Sequence, residues 1–192
     1  MTPSAPHLTR DQRLIRRILR VNHAGEHGAI AIYSAQIAHL GRRAEARDWL
    51  IATLAHERRH RGAFREAMPS RNAKPCRALG VWSVGGWVLG CLTALTGTAG
   101  VMACTAAVER TVHGHLQEQM AFLERCDPGL AEVVADVRRE ELEHLAYAEA
   151  RLPPGSALPR LLEPLIAACT ELLIATSTRG DSVRLRQALR AS

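Results

Sequence analysis

The chain has 192 residues, a formal net charge of +6 and only 4% aromatic residues. That length suits one domain with a real core, and the abundance of Ala, Leu, Arg and Glu favours helix over strand. Five widely spaced cysteines (Cys76, Cys91, Cys104, Cys126, Cys169) with no Cys-x-x-Cys pair argue against a disulfide framework or a thiolate zinc site, and for reduced thiols in a cytosolic setting. The N-terminus lacks the apolar core and cleavage site of a secretory signal. The positive charge admits acidic partners, either nucleic acid or an anionic membrane surface.

In chain order, Thr9 and Gln12 have the spacing of a capping box opening a first helix. Leu14, Ile18 and Val21 recur at helical spacing, while Arg13, Arg16, Arg17 and Arg20 gather on another face. The pattern continues through Ala24–Ala38 and stops near Gly41. A second helix is expected from about Ala44 to Ala67, closed by Met68-Pro69, with a loop from Ser70 to Pro75. The stretch Ala78–Val108 holds no charged residue and is long enough to cross a bilayer, but its many glycines (Gly85, Gly86, Gly90, Gly97, Gly100 among them) predict a break. A helix carrying Glu109 follows, ended by Asp127-Pro128-Gly129. The next runs to about Arg151 and stops at Pro153-Pro154; a last apolar helix, Leu158 to Thr176, precedes Arg179-Gly180-Asp181. No segment reads as a strand. The expectation is one all-α domain over residues 1–192, with residues 1–12 a flexible N-terminus.

Two Glu-x-x-His sequences carry the chemistry: Glu57-Arg58-Arg59-His60 and Glu141-Leu142-Glu143-His144. Residues three apart share one face of a helix, so the carboxylate and imidazole can converge on one metal. Alone the motif is weak; the arrangement is more informative. Glu26 precedes Glu57 by 31 positions (57 − 26), and Glu109 precedes Glu141 by 32 (141 − 109). Each half of the chain thus offers one Glu, then Glu-x-x-His on the next helix. That is the ligand set of carboxylate-bridged di-iron and di-manganese four-helix bundles. Four carboxylates balance two divalent ions, and oxygen donors with a little nitrogen suit iron or manganese better than copper or zinc. The near-equal spacing implies an internal pseudo-two-fold, with the metals between the helix pairs. Glu45, Glu66, Glu140, Glu143 and Glu149 read as solvated. A rival lies in the same segment, since His56-Glu57-Arg58-Arg59-His60 matches the His-Glu-x-x-His zinc metalloprotease helix. It leaves Glu26, Glu109, Glu141 and His144 without a role, and provides no strand edge to hold a peptide.

In context the chain resembles the demethoxyubiquinone hydroxylase family of ubiquinone biosynthesis. The resemblance rests on Arg20-Val21-Asn22-His23-Ala24-Gly25-Glu26, on Ala103-Cys104-Thr105-Ala106-Ala107-Val108-Glu109 and on Arg139-Glu140-Glu141-Leu142-Glu143-His144. It implies a ferritin-like di-iron fold with two iron ions per chain. The implied activity is O₂-dependent hydroxylation of a ring carbon of a polyprenylated quinol at the membrane surface, with NADH as reductant. The family's ligand pattern falls on Glu26, Glu57, His60, Glu109, Glu141 and His144, with Glu57 and Glu141 bridging and Glu26 and Glu109 terminal. The chain departs from the family at His27, where Tyr is frequent, at Arg110, where a second acid is frequent, and at His115-Leu116, where a His-Tyr pair is frequent. Tyr33, two turns from Glu26, could line the pocket, relay an electron, or simply pack in the core.

The apolar run is read as partly bundle core and partly a surface that dips into one leaflet. The arginines of the first helix would meet headgroups, which makes the chain a peripheral protein on the cytoplasmic face of a bacterial inner membrane. Exposed apolar helices would also favour a homodimer or a complex with other proteins of the pathway. Three other functions fit the ligand set: a di-iron hydroxylase of modified transfer RNA, a ferritin-like iron store, and a quinone-binding accessory protein without turnover. Few aromatics are available to stack on bases, so no nucleic-acid partner is expected.

Overall fold

A computed structural model describes residues 8–41, 45–152, 157–177 and 187–189. Six helices organise it: α1 (Arg10–His39), α2 (Arg47–Glu66), α3 (Leu79–Leu95), α4 (Gly97–Cys126), α5 (Pro128–Ala150) and α6 (Ala157–Ser177), with a 3₁₀ turn at Pro69–Arg71. No strand occurs among the described residues. The all-α expectation holds.

The ends of the helices follow from local chemistry. Thr9 Oγ1 accepts the Gln12 N–H at 3.2 Å, and Gln12 Oε1 accepts the Thr9 N–H at 3.0 Å, which completes the capping box. Of the N-terminus expected to be flexible, residues 1–7 lie outside the described residues, and Arg10–Gln12 are already helical. The second helix starts at Arg47; Ala44, its expected first residue, lies outside the described residues, as do Pro153-Pro154 and Arg179-Gly180-Asp181. Pro128 sits in the first turn of α5, and Asp127 Oδ1 accepts the Leu130 N–H at 3.1 Å. Asp127 also takes both arms of the Arg71 guanidinium, at 2.5 and 2.7 Å, and so ties the turn after α2 to the start of α5.

The uncharged run breaks at Gly97, which takes a left-handed φ of 71° that a side chain would resist. Its first part, α3, lies along α1 almost backbone to backbone. A Cβ on Gly86 would stand 2.6 Å from the Gly28 carbonyl, and one on Gly90 would stand 2.4 Å from that of Ile32. A buried hydrogen bond from Gln36 Nε2 to Thr93 Oγ1 (3.0 Å) fixes the same pair of helices. Its second part feeds α4, which is buried from Gly100 to Glu109. No helix among the described residues is long and apolar enough to cross a membrane.

The four bundle helices are α1, α2, α4 and α5. Helix α1 pairs with α2 and α4 with α5; α3 covers α1, α6 covers α4, and α3 touches α6. The two halves therefore repeat one plan, in a ferritin-like arrangement. One apolar layer gathers Leu14, Ile18, Phe64, Leu116, Leu123 and Leu130. Another gathers Tyr33, Leu50, Leu54, Val101, Met102 and Ala148. Along each bundle helix the conspicuous polar residues fall between these layers. The outer faces of α3 and α6 stay apolar and exposed at Val84, Trp87, Leu92, Leu95, Leu165 and Leu172.

Candidate metal centre

On α2 the buried positions are Leu50, Thr53, Leu54, Glu57, His60 and Phe64; on α5 they include Val134, Val137, Glu141, His144 and Ala148. The Glu-x-x-His pairs thus occupy the core stripe of amphipathic helices, where apolar side chains would otherwise stand. Glu26 on α1 and Glu109 on α4 face the same interior, and all six residues are at most 4% exposed.

Their ligand atoms form two groups. Glu26, Glu57, His60 and Glu141 make one; Glu57, Glu109, Glu141 and His144 make the other, with the atoms of each group within 4.8 Å of one another. Glu57 and Glu141 belong to both. His60 Nδ1 lies 3.1 Å from Glu141 Oε1 and 3.7 Å from Glu26 Oε2. His144 Nδ1 lies 3.1 Å from Glu141 Oε2 and 3.4 Å from Glu57 Oε1. Tyr33, buried beside them, donates its hydroxyl to Glu109 Oε1 at 2.5 Å.

The buried carboxylates push one another's protonation in opposite directions. Burial pushes Glu57 and Glu109 well above the ordinary carboxylate range, and the charge of Glu141 pushes the same way. Burial raises Glu26 too, against a hydrogen bond with His60. Glu141 is also buried, but hydrogen bonds from His144, His60 and Glu109 outweigh that and hold it below its usual value. Burial opposes a charge on His60, yet its bonds to Glu141 and Glu26 raise it to about 10. Glu57 Oε1, fully enclosed, has no hydrogen-bond partner among the described residues. Four carboxylates, two imidazoles and an orphaned buried oxygen are a donor set that fits two divalent cations and is poorly satisfied without them.

His56 joins neither group: its Nδ1 lies 3.1 Å from His144 Nε2, so His56 and His60 do not converge as a zinc protease pair. Glu140, expected to be solvated, is instead half-buried and accepts from His60 Nε2 and from Arg59 Nη2, each at 3.0 Å. Adjacent to Glu141 on the helix, it falls toward α2 and within reach of the back of His60. Trp49 and Tyr147, not singled out from sequence, stack at 4.2 Å, and Trp49 meets Tyr33 and His144 edge-on at 6.5 and 6.1 Å. Isolated aromatics on helix faces carry no signal of such a meeting. Arg16, Arg17 and Arg20 are half-buried rather than a plain solvated face, and Arg16 donates to the Arg71 carbonyl.

Beside the carboxylates a small chamber is lined by Glu26, Glu57, Glu109, Glu141, His115 and Leu116. It shares Gly25, Ala29 and Val112 with a groove of about 520 Å³ between α1, α3, α4 and α6. The groove walls are almost wholly apolar, with Ile32, Trp82, Leu89 and Leu92 among them.

The family model described as ubiquinone biosynthesis protein COQ7 matches residues 13–177. The chain belongs to this family. Among its relatives, a 3-demethoxyubiquinol 3-hydroxylase of Rhodospirillum rubrum is 41% identical over 169 residues, covering 86% of this chain and 78% of the relative. An NADPH-dependent 3-demethoxyubiquinone 3-hydroxylase, mitochondrial, of Mus musculus is 38% identical over 151 residues (75% and 69%), and that of Homo sapiens 36% over 172 (86% and 77%). His27 accepts from Arg61 through Nδ1 (3.1 Å) and contacts Ser83 Oγ through Nε2 (2.8 Å), which links α1 to α2 and α3. Arg110 pairs with Glu149 and Glu163, and His115 with Glu171 at 3.0 Å. Leu116 is buried in the apolar layer.

Proposed function

We propose that this COQ7-family chain hydroxylates a ring carbon of a polyprenylated demethoxyubiquinol with O₂, using two iron ions held by Glu26, Glu57, His60, Glu109, Glu141 and His144. The observation that carries the reading is the junction of the carboxylate chamber with an apolar groove through Gly25, Ala29 and Val112. An iron store needs no such groove, and a transfer-RNA enzyme would need a charged one. The names of the relatives support the same substrate class.

Glu57 and Glu141, common to both groups, would bridge the ions, while Glu26 with His60 and Glu109 with His144 would each serve one. When bound, the iron pair supplies the electrons and the open coordination positions that O₂ activation requires. The chain supplies the rest. Apolar walls take up the prenyl tail and keep water from the ring; Tyr33 holds Glu109 Oε1 through its hydroxyl. The reductant would be a reduced nicotinamide nucleotide. NADH is the sequence-based expectation, NADPH is in the names of the mitochondrial relatives, and the two can be compared side by side. The exposed apolar residues of α3 and α6 support peripheral seating on a bilayer, where such a substrate resides. Flotation with anionic vesicles tests that seating.

The test of the activity is aerobic turnover of the iron-loaded chain with a demethoxyubiquinone analogue and each nucleotide, read by mass spectrometry under ¹⁸O₂. One labelled oxygen in the product, lost in Glu109→Ala, is expected. Two irons bound with no oxygenated quinone would overturn the substrate assignment and leave iron oxidation as the activity to examine.

A further inference from the structure

A histidine that binds a metal through one ring nitrogen carries hydrogen on the other, and that N–H needs an acceptor. Here the Nδ1 atoms of His60 and His144 face the carboxylates, so each Nε2 faces outward. The two outward nitrogens meet different groups. His60 Nε2 reaches Glu140 Oε2 at 3.0 Å, whereas His144 Nε2 reaches His56 Nδ1 at 3.1 Å. His56, which the protease motif had suggested as a ligand, instead stands behind one.

We infer that His56 is the positioning residue for His144, and that its imidazole, set where the other site has a carboxylate, makes the two metal positions chemically unequal. This rests on the two-iron reading above. With a metal at Nδ1, His144 can only donate from Nε2, so His56 must present a lone pair at Nδ1 and carry its hydrogen on Nε2. His56 Nδ1 also stands 3.4 Å from Glu140 Oε2, but that oxygen already accepts from His60 and Arg59. The His56 ring stacks on His144 with centroids 5.2 Å apart and planes 29° apart, and Trp49 meets His144 edge-on, so the ring is held in orientation as well as bonded. A carboxylate acceptor draws the imidazole proton more strongly than a neutral ring nitrogen does. The imidazole of His60 is therefore the stronger electron donor, and the metal beside Glu26 and His60 differs from the one beside Glu109 and His144.

Since the His56 side chain is 33% exposed, it can be replaced without opening the core. The experiment is anaerobic Fe(II) binding by equilibrium dialysis, with ⁵⁷Fe Mössbauer spectra, on the full chain. His56→Leu, which has no acceptor, is expected to weaken one of the two binding steps about 10–100-fold and to shift one of two ferrous doublets. His56→Asn, whose side-chain oxygen can occupy the place of Nδ1, restores most of both. Glu140→Gln shifts the other doublet. Unchanged steps and doublets in His56→Leu overturn the inference, as does an equal shift of both doublets that Asn fails to repair. A parent chain that binds fewer than two irons overturns the two-iron reading itself, and is seen before any variant is made.

Discussion

The half of the chain carrying α1–α3 and the half carrying α4–α6 repeat one plan, yet they differ at two pairs of equivalent positions: seven residues after the single Glu, and just before each Glu-x-x-His. Tyr33 follows Glu26 by seven positions (33 − 26), and Leu116 follows Glu109 by the same seven (116 − 109). Tyr33 crosses to the other half and donates to Glu109; Leu116, lining the chamber with Glu26, has nothing to donate. Behind the histidines, Glu140 backs His60 and His56 backs His144. A repeated backbone thus fixes where the four carboxylates and two imidazoles stand, while single non-repeated side chains set how each is held.

The largest effect should come from removing what the halves share. Glu141→Ala takes an oxygen donor from both groups at once, and is expected to bring iron content close to zero and hydroxylation below detection. Glu26→Ala touches only one group and should leave about one iron per chain, on the one-ligand-set-per-ion reading. Metal analysis with turnover distinguishes them. Equal iron loss in both variants would mean that the pair assembles as a unit, and that the halves are not separable.

The shared plan was also the part legible in sequence. The spacings of 31 and 32 nearly agree although the links differ, because the longer link after α1 (residues 40–46) is offset by more helix on either side of Asp127. Glu57, His60, Glu141 and His144 are legible because they sit at core positions of a 3.6-residue period. The capping box at Thr9, a break somewhere in the glycine-rich run and a turn at Asp127-Pro128-Gly129 are legible as local chemistry; that the break falls at Gly97 and that Asp127 caps α5 are not. The asymmetry was not. Glu140 reads as a solvated residue beside a ligand, and its reach to His60 depends on how α5 rolls against α2, which no local pattern records. His56 looked like a zinc ligand because sequence gives its spacing to His60, not the direction in which its ring turns. The close seating of α3 on α1 at Gly86 and Gly90 was legible only as a glycine-rich stretch.

An intermediate effect should come from the one-sided hydroxyl. Tyr33→Phe deprives Glu109 Oε1 of its donor in a buried site, a loss of about 1–3 kcal/mol in the stability of the metal-free chain, measured by urea unfolding. An unchanged midpoint would mean that the bond contributes nothing to the fold. The pH dependence of the metal-free chain tests the protonation of the whole cluster. Glu57 and Glu109 have folded values raised above their unfolded ones, so their protonated forms favour the fold at low pH and that stability is lost as pH rises through the folded values. His60, raised to about 10, acts in the same direction above its ordinary value. Glu141, held low, acts oppositely and only in acid. Burial holds His23, His27, His56 and His113 low, which adds stability as pH rises through their ordinary range, so the net fall is expected above it. Thermal unfolding is expected to occur at progressively lower temperature from about pH 7.5 to pH 9 without metal, and to flatten once Fe(II) or Mn(II) is added. A metal-free chain whose midpoint rises over that range would contradict the assigned directions.

The smallest effect on metal binding, and the sharpest test of the comparison, is expected from Leu116→Tyr. It places a phenol at the position equivalent to Tyr33. Leu116 is 1% exposed within an apolar layer, so the larger ring must press on its neighbours, at about 1–3 kcal/mol in stability. If the two halves are alike in backbone, the new hydroxyl should reach Glu26 as Tyr33 reaches Glu109. The two ferrous doublets of the ⁵⁷Fe-loaded variant should then draw closer without merging, because Glu140 and His56 still differ behind the histidines. Complete merging would assign the whole asymmetry to the phenol and remove the role given to His56. Doublets left where they were, in a variant that folds and binds two irons, would mean that the repeat does not extend to side-chain reach, and that only the helices are shared.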